Sequence, residues 1–456
     1  MKQKTVLWMK QSFLFGMMGL LFAGMISCKD KEEPIKIFQL TVKLIYPGTY
    51  QPEAGLKVKL ENTVTNMVVE APTNGSGIAV FETTAGTYNV SVSESRVVEL
   101  THVVFNGVVT NLILADNRMV DVPLIESKIS QIVIKEFYHG GCQRNDGSGA
   151  FYNDKYIVLY NNSGEPATLV NGCFGFLMPY NSNGNNNDLV NGSLVYESQG
   201  YIPAAQGFWA FKQPVTIDPG KQIVVAFENA IDNTQVYTNS INFNNSAYYC
   251  AYDPESGFNM ASYYPPPAPA IPTNHYLKGY RYGSATAWSI SQTSPAFFLF
   301  TVKGITPQQL MDNPTYVHNY GGSTTTANAC RKVSKDWVVD AVEIYAYGNA
   351  SNGKRFPAAV DAGYVELRNQ YGFTVYRNVD KAATEAIEGN AGKIVYNYAL
   401  GTQNYTLPDG SVINGTTDPS GIDAEASLKN GARIVYKNTN NSSNDFHMRR
   451  KASLKN

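Results

Sequence analysis

The feature that most constrains the fold of this sequence is a succession of short segments in which apolar and polar residues alternate. Residues 38–45 read Phe-Gln-Leu-Thr-Val-Lys-Leu-Ile, and Pro47-Gly48 follows as a turn. Alternation puts one set of side chains on each face, as in a half-buried β-strand. Further segments of this kind lie at 56–60, 78–81, 87–92, 103–105, 111–114 and 120–124. We therefore predict a small β-sandwich over residues 36–125.

The composition supports an all-β protein and excludes three other classes. The chain has 456 residues, 43% of them hydrophobic, and a formal net charge of −1. A disordered chain has fewer aromatic residues and more net charge. Nucleic-acid-binding proteins are usually basic, whereas 36 Lys and Arg face 37 Asp and Glu here. One apolar run is too little for a polytopic membrane protein.

That apolar run lies at the N-terminus and has the form of an export signal. Lys2, Lys4 and Lys10 precede the apolar stretch 13–26, and a small residue comes shortly before Cys28. Such a segment is removed on export and is not part of the fold. It resembles a bacterial lipoprotein signal, which implies acylation of Cys28. The alternative is an uncleaved signal anchor, for which the apolar stretch is short.

We accordingly predict a signal peptide over residues 1–27 and an acidic tether over residues 28–35. The tether begins Cys-Lys-Asp-Lys-Glu-Glu and ends near Pro34. It resembles the surface-export signal of Bacteroidetes lipoproteins, and the alternative is a simple solvated tether. The resemblance implies a protein that is lipid-anchored in the outer membrane and faces the cell exterior.

Four cysteines remain after the lipidation site, and an even number in an exported chain predicts disulfides. They are Cys142, Cys173, Cys250 and Cys330, which allow three pairings. We favour Cys142–Cys173, because these residues lie near the two ends of a predicted strand pair, with Cys250–Cys330 as the second bridge. A metal site built on His139 and Cys142 is the alternative. Because no second His/Cys pair is visible, we predict no metal site.

Three phrases occur in order in the first unit: Pro52-Glu-Ala-Gly-Leu-Lys-Val58, Thr73-Asn-Gly-Ser-Gly-Ile-Ala-Val-Phe81 and Ala85-Gly-Thr-Tyr-Asn-Val90. They resemble the carboxypeptidase-regulatory or prealbumin-like sandwich that is common at the start of exported proteins. In that family the module is usually a spacer or scaffold, so no catalytic role is implied.

A second unit is predicted over residues 129–456, with strand phrases at 130–138, 154–162, 337–345 and 372–377 and an asparagine-rich closing phrase at 438–446. In this order the phrases resemble a lamin-tail-type Ig-like β-sandwich, although Val158 replaces the acidic residue that is usual there. A long loop-rich insertion, at about 178–320, separates the opening phrases from the closing ones.

Taken together, the lipoprotein signal, the small sandwich and the split lamin-tail-like domain resemble an uncharacterised family of Bacteroidetes surface lipoproteins. Members are thought to accompany TonB-dependent outer-membrane transporters. The resemblance therefore implies such a transporter as partner, an unknown small ligand, and a nutrient such as an iron or metal complex as cargo.

The insertion is the predicted binding region, because Tyr combined with Asn, Ser and Gly is typical of binding loops. The candidate contact residues are Trp209, Tyr263, Tyr264, Tyr276, Tyr280, Arg281, Tyr282 and Trp288. The aromatic rings would stack on a ligand or fill a partner's pockets, and Arg281 would pair with an anionic group. The alternative is that these aromatic residues pack the insertion onto the sandwich.

No catalytic signature is present: the sequence lacks a Gly-x-Ser-x-Gly elbow, a His-Glu-x-x-His helix, a phosphate loop and a dinucleotide fingerprint. We therefore predict a non-enzymatic binding protein without a cofactor, catalytic residues or a nucleic-acid partner. Two alternatives stay open: an adhesion or structural surface module, and a hydrolase with an unrecognised site.

Overall fold

The computed structural model describes residues 36–98, 101–128, 130–396, 404–407, 410–413 and 416–455. The predicted signal peptide, the tether and the lipidation site Cys28 lie outside these ranges. Within them, no helix is both long enough and apolar enough to cross a membrane.

Two sheets build the N-terminal part of the described chain, residues 37–128, which we call the first sandwich. Its strands are β1 (Ile37–Ile45), β2 (Lys57–Asn62), β3 (Val68–Pro72), β4 (Ile78–Thr84), β5 (Gly86–Val98), β6 (Thr101–Leu114), β7 (Arg118–Pro123) and β8 (Ile125–Lys128). One sheet has the order β4-β1-β7 and the other the order β3-β2-β5-β6-β8. Aliphatic and aromatic side chains from both sheets form one core between them.

Strand β1 shows how the alternating sequence produces a sandwich layer. Leu40, Val42 and Leu44 are buried in the core, whereas Lys43 between them is exposed. Burial of each such aliphatic side chain stabilises the fold by about 1.5–3 kcal/mol. β1 pairs antiparallel with β4 and parallel with β7, so it is the central strand of its sheet.

The rest of the described chain is also mainly β-structure, and its strands are β9 (Ile132–Tyr138), β10 (Cys142–Gln143), β11 (Ala150–Phe151), β12 (Tyr156–Asn161), β13 (Ala167–Leu169), β14 (Gly172–Phe176), β15 (Leu189–Val190), β16 (Ser193–Leu194), β17 (Tyr201–Ala205), β18 (Gly207–Ala210), β19 (Val215–Ile217), β20 (Gln222–Ala226), β21 (Tyr249–Cys250), β22 (Lys278–Arg281), β23 (Ala296–Thr301), β24 (Val317–Asn319), β25 (Ala329–Ser334), β26 (Val338–Ala346), β27 (Val365–Leu367), β28 (Thr374–Arg377), β29 (Tyr405–Thr406), β30 (Val412–Ile413) and β31 (Phe446–Arg449). The α-helices are short: α1 (Pro307–Asp312), α2 (Lys381–Glu385), α3 (Ala424–Lys429) and α4 (Ser442–Asp445). The predicted all-β sandwich class is confirmed.

Two six-stranded sheets form the centre of this part, which we call the second sandwich. Their orders are β21-β20-β12-β9-β28-β31 and β22-β18-β14-β23-β26-β27. Ile134 of β9 and Val375 of β28 face Phe174 of β14 and Val342 of β26 across one continuous core. A smaller three-stranded sheet, β17-β25-β24, lies beside them.

Both large sheets are also covered on their outer faces. Leu310 of α1 and Val333 of β25 pack with Phe298 of β23 on one side. Ile241 packs with Val158 of β12 on the other. This double coverage explains why β9, β12 and β23 are buried at nearly every position instead of alternating.

The segment predicted as an insertion, about 178–320, is part of these sheets. It supplies β18 and β22 beside β14, β20 and β21 beside β12, and the central strand β23. Apolar runs such as Ala-Phe-Phe-Leu-Phe in β23 can only be buried inside a sheet packed on both faces. The segment is therefore structural over much of its length.

Candidate functional site

Three of the predicted binding residues are buried in the core of the second sandwich. Trp209 is 0% exposed, Trp288 1% and Tyr264 8%. The Trp209 ring lies 5.4 Å from the Phe258 ring and 5.7 Å from the Tyr264 ring, centroid to centroid. Rings enclosed in this way cannot stack on a ligand, so the prediction that these three residues bind one is wrong.

Tyr280 and Tyr282 lie at the outer face of the sheet that contains β22. The Tyr280 ring stacks on Phe208 with centroids 4.9 Å apart. The guanidinium of Arg331 lies 3.7 Å from the centroid of the Tyr282 ring. Both tyrosines therefore already have packing partners within the chain.

The remaining candidates lie elsewhere. Tyr276 contacts Tyr252 at the outer face of the other large sheet. Tyr263 lies at the margin of the core, with the Lys155 ammonium 5.7 Å from its ring centroid. Arg281 is exposed on the edge strand β22. The eight candidates are thus divided among different layers, and the prediction of one aromatic binding surface is wrong.

The four cysteines Cys142, Cys173, Cys250 and Cys330 are free and buried, so the prediction of disulfides is wrong. Cys173 and Cys250 pack on the outer faces of different sheets, and Cys330 lies in the core between them. Cys142 is in contact with Asp154, at 3.9 Å from Oδ2. Burial raises the pKa of both Cys142 and Cys250 to about 12, so these side chains remain protonated thiols.

A polar cleft, partly open to solvent, lies between the two sandwiches. Its first wall is the outer face of the sheet β3-β2-β5-β6-β8, with the side chains of Glu61, Thr63, Asn66, Asn89, Thr110 and Asn111. Glu61 and Asn89 are cross-strand neighbours on β2 and β5. Because Leu60 and Val90 beside them point into the core, strand alternation directs Glu61 and Asn89 outward.

The second wall comes from the second sandwich, at the end of β26, the following loop and β27. It contains Tyr345, Asn349, Asn352, Lys354, Tyr364 and Glu366. The rings of Tyr345 and Tyr364 stack with centroids 4.0 Å apart and planes inclined by 11°. Tyr345 is opposite Glu366 in the parallel pairing of β26 with β27, which fixes the carboxylate beside this flat pair.

Hydrogen bonds from Tyr364 join the two walls. Its hydroxyl donates to Glu61 Oε2 at 3.1 Å and accepts from Asn89 Nδ2 at 2.8 Å. Asn89 Oδ1 in turn accepts from the backbone N–H of Asn111 at 3.0 Å. Burial, followed by the charge of Glu61, raises the pKa of Tyr364, so the phenol keeps its proton and donates it.

A buried ion pair holds the second wall in place. Glu343 and Arg355 are both 0% exposed, and Arg355 Nε and Nη2 lie 2.8 and 2.7 Å from Glu343 Oε1. Glu343 Oε2 accepts from the backbone N–H groups of Arg355 and Phe356, each at 3.0 Å. Lys354, which borders the cleft, directly precedes Arg355 in the loop that follows β26. The ion pair therefore fixes the loop that carries the wall.

The charges in the cleft are unbalanced. The Lys354 ammonium is occupied, because it donates to the carbonyl oxygens of Asp361 at 2.8 Å and Gly363 at 2.5 Å and lies 3.5 Å from Glu343. Glu366 Oε2 accepts from the Gly348 N–H at 3.4 Å. Burial raises the pKa of Glu366, and the nearby Glu61 carboxylate raises it further. The cleft thus presents acceptor oxygens and neutral amides.

Other polar clusters in the described chain lie away from the cleft. His318 Nε2 is 2.8 Å from Asp188 Oδ2, and its Nδ1 is 3.0 Å from the Tyr201 hydroxyl. Asp154 accepts from Ser240 Oγ at 2.6 Å, and burial raises the pKa of Asp154 to about 6. In the described ranges, no group of three or more His, Cys, Asp or Glu could hold a metal ion.

The sequence carried one signal for the cleft that our prediction did not use. Residues 345–353 read Tyr-Ala-Tyr-Gly-Asn-Ala-Ser-Asn-Gly, the same Tyr, Asn, Ser and Gly composition that drew attention to the insertion. The first wall has no comparable signal, because its members are outward positions of ordinary strands.

Residues 218–396, which include the whole second wall, match the model of a family described as a protein of unknown function (DUF4876). This segment is therefore similar to a family of unknown function, in keeping with the predicted resemblance to an uncharacterised family. No curated protein matches the sequence.

Two solved structures are similar to the chain. A DUF4876 family protein from Bacteroides thetaiotaomicron VPI-5482 is 18% identical, with a TM-score of 0.46, and the match covers 91% of this chain and 96% of that chain. A DUF3823 family protein from Parabacteroides merdae ATCC 43184 is 10% identical, with a TM-score of 0.16, over 31% of this chain and 66% of that chain.

Proposed function

We propose that the protein is a lipid-anchored surface protein of the outer membrane that binds a ligand or partner without catalysis. It acts as an accessory of a TonB-dependent system for nutrient uptake, for which an iron or other metal complex is one candidate cargo. The observation that supports binding is the cleft between the sandwiches. Polar side chains from both sandwiches line this cleft, which is partly open to solvent.

The membrane address is supported by the sequence alone: the export signal, the position of Cys28 and the acidic tether. The transporter is supported by the resemblance to surface lipoproteins that accompany such transporters. The first sandwich serves as a scaffold that supplies one wall of the cleft. This agrees with the usual spacer or scaffold role of the carboxypeptidase-regulatory or prealbumin-like module that it resembles.

Two substitutions test this function in the native bacterium. Ala350 lines the cleft and is exposed, so Ala350→Trp fills the cleft without removing any hydrogen bond of its side chain. Met119→Trp is the matched control, because Met119 is 59% exposed on the sheet β4-β1-β7, which does not line the cleft.

We expect the wild-type protein and Met119→Trp to co-purify with a TonB-dependent transporter from detergent-solubilised outer membrane and to support growth on the limiting nutrient. Ala350→Trp should reach the surface in equal amount but slow that growth. Recovery of the wild-type protein without any transporter, or full growth with Ala350→Trp on every limiting nutrient, would contradict the proposal.

A further inference from the structure

The cleft has free hydrogen-bonding groups that need a ligand or water. Within the described chain, the side chains of Asn66, Thr110 and Asn111 have no hydrogen-bond partner, and all three border the cleft. The second oxygen of Glu366 is likewise available, since only Oε2 accepts a bond, from Gly348. These groups come from both walls, so a ligand in the cleft would contact both sandwiches.

These groups are suited to hydroxyl groups. An amide side chain donates and accepts, a threonine hydroxyl does both, and a carboxylate accepts from two hydroxyls at once. A large apolar ligand would remove these groups from water without replacing their hydrogen bonds, at a cost of about 1–3 kcal/mol for each group. The cleft therefore disfavours a purely apolar ligand.

The charge of the cleft selects against anions. Glu61 and Glu366 are its acidic residues, and Lys354 is the one cation among the lining residues. Two backbone carbonyl oxygens and Glu343 occupy the Lys354 ammonium. A carboxylate, phosphate or sulfate would approach two carboxylates without finding an available positive group, and like charges repel even in partly solvated sites.

The stacked pair Tyr345–Tyr364 adds a flat aromatic component. Tyr345 is 6% exposed and backs Tyr364, whose ring borders the cleft. Hydrogen bonds to Glu61 and Asn89 fix the Tyr364 ring, so little side-chain entropy is lost when a ligand binds against it. A fixed ring beside amides and carboxylates offers both apolar contact and polar contact, which a sugar ring requires.

On the basis of the binding function proposed above, we propose that the cleft binds a neutral polyhydroxyl ligand, that is, an uncharged saccharide, held between Glu61, Asn66 and Asn111 of one wall and Tyr364 and Glu366 of the other. The carboxylates accept from sugar hydroxyls, the amides donate and accept, and the Tyr364 ring covers an apolar face of the sugar.

Affinity electrophoresis of the full chain in detergent tests this class of ligand. The gels contain neutral polysaccharides (glycogen, mannan, galactomannan, xyloglucan and arabinan) or the anionic polygalacturonate, and binding of poly-lysine is measured in solution. The cleft variant is Glu61→Gln with Glu366→Gln, which removes both charges at nearly constant shape. The matched control is Glu82→Gln with Asp121→Asn, two exposed carboxylates on the sheet β4-β1-β7.

We expect at least one neutral polysaccharide to retard the wild-type chain and the control variant, and polygalacturonate to retard neither. The cleft variant should bind that polysaccharide at least ten-fold more weakly, with an unchanged circular dichroism spectrum. Asn111→Ala, which leaves the charges intact, should weaken binding several-fold and serves as a second test should the double variant fail to fold.

Three results would overturn the inference: no retardation by any neutral polysaccharide, retardation by polygalacturonate, or equal retardation of the cleft variant. If poly-lysine binds the wild-type chain but not the cleft variant, the ligand is cationic and the saccharide inference is wrong. The proposed binding function would still stand. Co-purification with a transporter tests that function separately, because it does not depend on which ligand occupies the cleft.

Discussion

Substitution of Glu343 by Gln tests how strongly the buried ion pair fixes the cleft wall. Glu343 Oε1 faces the Arg355 guanidinium, and Oε2 faces the N–H groups of Arg355 and Phe356. A glutamine amide would direct an NH2 group at one of these two sets of donors, whichever way it turns. Removing one member of a buried ion pair costs about 3–5 kcal/mol. We therefore expect Glu343→Gln to lower the free energy of unfolding by about 3–5 kcal/mol.

The pKa of Glu343 determines how the loss of stability in Glu343→Gln depends on pH. Burial alone would raise the pKa of Glu343, but Arg355 and Lys354 together hold it below its ordinary value of 4.5. A carboxyl whose pKa is lowered on folding contributes stability above its unfolded pKa and loses it as the pH falls through the folded pKa. The difference between wild type and Glu343→Gln should therefore be full above pH 4.5 and shrink in more acidic solution.

Urea unfolding followed by tryptophan fluorescence, at pH 7 and at pH 3–4, measures both effects. Glu82→Gln, an exposed position, is the control and should change stability by less than about 0.5 kcal/mol. A loss below about 1 kcal/mol for Glu343→Gln at pH 7, or a loss that grows in acid, would refute the reasoning. The double variant Glu343→Met with Arg355→Met should lose less stability than either single variant, because the double variant leaves no unpaired buried charge.

Three further predictions concern residues outside the cleft. Trp209→Ala should destabilise the fold by about 3–5 kcal/mol in urea unfolding, as for other buried aromatic residues, and a loss below about 1 kcal/mol would contradict its place in the core. Dithiothreitol should leave the melting temperature unchanged, because the cysteines are free. Ellman's reagent should react only in denaturant with the buried thiols of Cys142, Cys173, Cys250 and Cys330. A drop in melting temperature on reduction would indicate a disulfide. Burial, with the charge of Lys155, lowers the pKa of His139 to about 3, so the unfolded chain takes up a proton below pH 6.5 that the folded chain does not. Stability should consequently fall as the pH drops from 6.5 towards 3, by up to about 1.4 kcal/mol per pH unit for this group. The variant His139→Gln should lose stability less steeply over the same pH range. Equal slopes for the wild type and the variant would contradict the lowered pKa of His139.

The sequence was sufficient for the fold class because strand alternation is a local property. The pattern of residues 38–45 survives as Leu40, Val42 and Leu44 buried in β1. Strand β9, which is buried at every position, was recognised as well, since its length and β-branched residues distinguish it from a loop.

The errors have a common physical origin, which is contact between distant parts of the chain. Tyr and Trp serve equally well in a core and in a binding loop. Trp209 is a core residue only because Phe258 and Tyr264, which are distant in sequence, pack against it. Disulfides need two cysteines in one place, yet Cys173 and Cys250 lie on the outer faces of different sheets. Parity of the cysteine count carries no information about that separation.

The cleft could not be predicted for the same reason. Tyr364 and Glu61 are 303 residues apart in sequence and meet only because the two sandwiches pack together. The Asn-rich loop after β26 was visible in the sequence, but it could be assigned to a site only after its facing wall was known.

The most direct test of the central claim is hydrogen–deuterium exchange of the full chain with and without the neutral polysaccharide that retards it most. We expect slower exchange on both walls at once, around residues 61–66 and 110–111 on one side and 348–354 on the other. Protection confined to the aromatic segment 276–282, or absent from either wall, would contradict the cleft as the binding site.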